Sequence, residues 1–73
     1  MVSVYACYED GKDINIPHIT KITYAGYDKK VDVSEENLST HCFPIGKPLW
    51  LYSNDGISVI NGTGLRLVEV RNE

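Results

Sequence analysis

Turn-forming chemistry breaks this chain into short runs. EDGK at residues 9–12, YDKK at 27–30, FPIGKP at 43–48, SNDG at 53–56 and NGTG at 61–64 supply the Gly, Pro, Asn and Asp that accept tight-turn backbone geometry. Between these breaks, polarity alternates. In VSVYACY, residues 2–8, Val2, Val4, Ala6 and Tyr8 point one way while Ser3, Tyr5 and Cys7 point the other, the period of a half-buried strand. The pattern predicts a mainly β domain of five or six short antiparallel strands with one short helical turn near residues 33–39. Short strands joined by tight turns hide their edges best by closing up, so a small SH3-like barrel or roll is expected.

Register follows from the turns. A three-residue loop of Glu9, Asp10 and Gly11, with Gly11 left-handed, sets Ala6 opposite Ile14 and Val4 opposite Ile16, so the aliphatics share one face. A two-residue loop would set them against Asp13 and Asn15 instead. Pro17 lacks a ladder donor and is expected to end this arm. HITKITYAGY then resumes as a strand with Ile22 and Tyr24 on one face and Ile19 out of phase, the sign of a bulge. KVDV reads as a short strand. Asp32 and Glu35, three apart, read as a capping box that opens a helical turn through VSEENLS, with Val33 and Leu38 as its apolar contacts.

The stretch LWLYSNDGISVI, residues 49–60, is a hairpin with apolar groups on both faces. The same three-residue loop rule, applied to Asn54, Asp55 and Gly56, pairs Ser53 with Ile57, Leu51 with Val59 and Trp50 with Ile60. One face then holds Leu49, Leu51, Ile57 and Val59, and the other holds Trp50, Tyr52, Ser58 and Ile60. If NGTG is a further hairpin turn, Leu65 and Leu67 join the aliphatic face, and Arg66, Val68 and Val70 fall beside Trp50 and Ile60. Two outcomes are open for the aromatic face. Either the sheet curls so that Trp50, Val68 and Val70 also lie inside, or Trp50 and Tyr52 form an exposed patch for a partner.

Seventy-three residues allow one small domain, and 42% hydrophobic with 23% charged residues is a globular composition. The formal net charge of −3, with seven scattered Lys and Arg, disfavours a nucleic-acid backbone as partner. The opening MVSVYACYEDG has neither a basic leader nor a long apolar core, so a cytoplasmic location away from membranes is expected, with Cys7 and Cys42 as reduced thiols. Cys7, His18, His41 and Cys42 have the side chains of a zinc set but no CxxC or HxxxH spacing. His41 and Cys42 are adjacent, and neighbours on an extended strand point to opposite faces, which argues against a nucleophilic dyad. The acidic pairs at 9–10 and 35–36 are explained by turn and helix-start preference. No acid, base and nucleophile can be assembled, so neither catalysis nor a cofactor is expected.

The function expected from these residues is that of a non-enzymatic binding module, an adaptor or inhibitor acting on a protein partner, of a size and make-up that fit a phage or mobile-element origin. Its contact residues would be Trp50, Tyr52, Ile60, Arg66 and Val68, with Tyr24 and Tyr27 flanking a turn nearby. Homodimerisation through the same patch or an edge strand is a second expectation. The alternative is single-stranded nucleic-acid binding by stacking on Trp50 and the five tyrosines, which requires Lys12, Lys21, Lys29, Lys30, Lys47 and Arg66 to converge. A small-molecule binder or sponge would need a closed pocket.

Overall fold

The computed structural model describes residues 1–44 and 46–73. The chain forms β1 (Val2–Tyr8), β2 (Asp13–Ala25), β3 (Lys30–Ser34), a 3-10 turn (Glu35–Asn37), β4 (Leu49–Ser53), β5 (Gly56–Ile60) and β6 (Leu65–Asn72). All pairings are antiparallel, in the order β5-β4-β2-β1-β6, with β3 also on β2. The fold is mainly β, as expected, but β5 and β6 lie at opposite ends of this path, so the sheet is not closed into a barrel. A Cα radius of gyration of 11.4 Å is close to the roughly 11 Å of a compact chain of this length, so the open sheet must curl.

The curl starts in β2, the longest strand. Its first half pairs with β1 and its second half with β3 and β4. Pro17 does not end the strand, contrary to the sequence expectation. Between Val2 opposite Ile19 and Val4 opposite Ile16, β2 carries an extra residue, and Pro17 sits in that bulge, where a missing donor costs little. The adjoining His18 has φ 61, a left-handed conformation uncommon for a side-chain-bearing residue. The carboxylate of Glu73 holds the bulge: it accepts the His18 amide and lies 3.0 Å from the ring Nδ1. That amide holds the Glu73 carboxyl below its ordinary pKa. A second irregularity, between Ile19 and Lys21 on the β4 side, brings Ile19 and Ile22 onto one face.

The core is the inward face of this bent sheet. Val4, Ile19, Ile22, Leu38, Leu49 and Leu51 are fully enclosed, and Val68 and Val70 pack against them from β6. The first hairpin has the predicted register, Ala6 opposite Ile14 and Val4 opposite Ile16, with Gly11 at φ 88. The Tyr8 amide donates to the Lys12 carbonyl at 2.8 Å and closes the three-residue loop.

Three other expectations are corrected. The capping box fails because Asp32 lies inside β3, where its carboxylate accepts the Thr23 hydroxyl at 2.6 Å; the 3-10 turn begins after Ser34. The second hairpin has a two-residue loop, not three, so Ser53 pairs with Gly56, Tyr52 with Ile57, Trp50 with Val59 and Leu49 with Ile60. A one-residue slip exchanges faces, so Ile60 enters the core at 3% exposure while Ile57 and Val59 turn outward. Finally, NGTG is not a hairpin turn. It carries the chain from β5 at one end of the sheet to β6 at the other, where Val4 faces Val70 and Ala6 faces Val68. Gly62 is needed in this crossing because a β-carbon there would collide with the backbone of Lys47.

Candidate functional face

The second half of β2, with β3, β4 and β5, presents an outward face opposite the core. Alternation along each strand and the register between strands define its rows. Ser34, Lys21, Tyr52 and Ile57 form one row, and Asp32, Thr23, Trp50 and Val59 form the next. Tyr52 and Trp50 therefore lie side by side with Ile57 and Val59, each 58% exposed, completing an apolar square. The ammonium of Lys21 stands 4.2 Å from the centre of the Tyr52 ring, within cation-π range. Thr23, 4% exposed, is sealed between Asp32 and Trp50 and satisfied by the Asp32 carboxylate.

Of the seven predicted contact residues, this face unites two, Trp50 and Tyr52. Ile60 is in the core, and its expected place beside Trp50 is taken by Val59. Arg66 and Val68 lie on β6 against β1, at the opposite end of the sheet. Tyr24 faces inward and half-buried; its hydroxyl lies 2.6 Å from His41 Nε2, and the Phe43 ring meets it edge-on at 6.0 Å. Tyr27 projects fully into solvent from the turn after β2. Ile57, Val59 and Lys21 are the members that the sequence reasoning missed. The signal for the first two was the turn itself, because a two-residue loop at Asn54 and Asp55 fixes their direction.

A cleft of about 280 Å³ lies between residues 41–44 and residues 65–68 of β6, with Phe43, Leu65 and Val68 in its wall and Arg66 at its polar side. Cys42 in this wall is exposed and free, and Cys7 on β1 is half-buried and free. Among the described residues, no three His, Cys, Asp or Glu side chains come together to hold a metal ion. No helix among them is long and apolar enough to cross a membrane.

No protein-family model, curated protein or solved structure matches this chain.

Proposed function

We propose that this protein is a non-enzymatic binding module, an adaptor or inhibitor, that docks a protein partner on the outward face of β3, β2, β4 and β5. The observation that carries this reading is the contiguity of Trp50, Tyr52, Ile57 and Val59, with the two aliphatics more than half exposed. β-branched side chains kept in water beside the half-buried rings of Trp50 and Tyr52 are costly for a monomer and suited to an interface core. Tryptophan and tyrosine are also residue types in which interface energy concentrates. Lys21 at the Tyr52 ring and Asp32 beside Thr23 supply a polar rim of both signs. In architecture, we take the curled sheet to be an SH3-like roll left open between β5 and β6.

A paired substitution tests the face without touching the core. Ile57→Thr with Val59→Thr keeps β-branched residues on the strand while removing exposed apolar area. Capture of a specific partner from host lysate by the unmodified protein, lost in this variant with the circular dichroism unchanged, is the expected result. Equal capture by both forms would refute the face. The Lys21 and Tyr52 pair also supports a second reading, stacking of a single-stranded nucleic-acid base. A salt titration separates the two, since binding to phosphates weakens steeply with ionic strength and apolar docking does not.

A further inference from the structure

We propose that a second copy of this chain pairs antiparallel with the free edge of β5 about a two-fold axis at Ser58, making one sheet continuous through two protomers. This inference stands apart from the docking face, because it rests on the strand edge and not on the side chains that point outward. β5 ends the strand order, and its residues from Gly56 to Val59 are all exposed. Among the described residues it is the one sheet edge without a charge or a proline. The edge at β6 carries Arg66, Glu69 and Arg71, β3 carries Lys30 and Asp32, and the stretch of β2 beyond the reach of β4 carries Asp13 and Pro17. Charges and prolines are the usual protection of an exposed edge, and GISVI has none.

Backbone geometry selects the register. The two-residue turn is closed by the Ser53 and Gly56 pair, so along β5 the alternate residues Ile57 and Val59 turn their N–H and C=O groups to the open side. Antiparallel self-pairing uses both only when Ile57 meets Val59 of the second copy and Val59 meets Ile57. That arrangement forms four backbone hydrogen bonds and sets Ser58 against Ser58 on the axis. The register also sets Asp55 of one copy opposite the uncharged Asn61 of the other, so no like charges face each other along the pairing of a chain whose net charge is −3. The pairing is isologous and closes at two, since each copy has a single unprotected edge.

Ser58 provides the test, because it is exposed and its side chain is on the opposite side of the strand from the docking face. Like charges directly opposite one another on paired strands repel, and opposite charges attract. In sedimentation equilibrium the unmodified protein is expected at twice the chain mass. Ser58→Lys and Ser58→Glu, each alone, are expected at the single-chain mass with unchanged circular dichroism, and an equimolar mixture of the two is expected to recover the doubled mass. An unmodified protein that sediments as a single chain, or a Ser58→Lys variant that keeps the doubled mass, would overturn the pairing. Either result would leave the docking face untouched, since Ile57→Thr with Val59→Thr alters that face and spares the backbone pairing.

Discussion

One sheet carries two outward faces of opposite character. Where β6, β1 and the first half of β2 meet, the outward residues apart from Cys7 and Leu67 are polar, and several engage one another. The Tyr5 hydroxyl donates to Asp13 at 3.0 Å, Arg71 lies 4.8 Å from the Tyr5 ring centre, and Arg71 pairs with Glu69 at 2.7 Å. Where the second half of β2 meets β3, β4 and β5, the outward residues run from Asp32 and Lys21 into Trp50, Tyr52, Val59 and Ile57, and the outermost are apolar. Both halves share the same core on the inside. A strand that buries one face needs polar groups on the other to remain soluble, and the first half meets that need while the second does not. The difference is the reason for proposing the docking face on the second half, because folding alone does not call for Ile57 and Val59 to be aliphatic.

The sharpest way to break this comparison is to set the two sides of one hairpin against each other. Leu51 is fully enclosed and Val59, on the neighbouring strand, is 58% exposed. Leu51→Ala should cost about 2 to 5 kcal/mol in urea unfolding, from lost burial and a cavity. Val59→Thr should stay within about 0.5 kcal/mol of the unmodified protein, as surface substitutions do. Equal losses would mean that the outward face is structural after all.

A smaller effect is expected on the outward face itself, at the one place where it is buried. Among the described residues, Asp32 is the one partner of the Thr23 hydroxyl. Asp32→Ala should cost about 1 to 3 kcal/mol, the penalty for a buried hydroxyl left without an acceptor. Adding Thr23→Val should recover most of that loss, because removing both partners leaves nothing unsatisfied. If the double variant is no more stable than Asp32→Ala, the hydroxyl was finding water and the seal by Trp50 is not tight.

What could be read in the sequence follows the same division. In the first hairpin, Ile14 and Ile16 alternate with Asp13 and Asn15, so only one loop length aligns the aliphatics, and the register is legible. In the second, aliphatics and aromatics occupy both faces, so either register aligns something apolar and the pattern loses its power to choose. The structure resolves the choice with Ile60 opposite Leu49 in the core. The bulge at His18 was visible as the phase break at Ile19. The neighbour of β6 was not, because alternation reports which side of a strand is buried and is silent on which strand lies beside it. Gly62 looked like a turn glycine, and its actual constraint, the Lys47 backbone, is 15 residues away in sequence. Tyr24 was set among the exposed aromatics because the sequence gives no sign that His41, and Phe43 at the start of the connector FPIGKP, fold back onto it.

The polar face offers the smallest effect, one that appears only in alkali. The Tyr5 phenol is held above its ordinary pKa, first by its hydrogen bond to the Asp13 carboxylate, which accepts a proton that tyrosinate could not donate. Ionising Tyr5 in the folded protein breaks that bond and sets two negative charges together, whereas in the unfolded chain the phenol ionises at its usual value of about 10. The folded state therefore binds this proton more tightly than the unfolded one. Its contribution to stability is complete below the unfolded value and declines as pH rises through the folded one. Urea midpoints followed upward from neutral pH should fall more steeply for the unmodified protein than for Tyr5→Phe, and Asp13→Asn should flatten the curve in the same way. If Tyr5→Phe and the unmodified protein fall in parallel, the Tyr5 and Asp13 bond does not hold in solution. The contrast between a self-satisfied polar face and an unpartnered apolar one would then lose its best-defined contact.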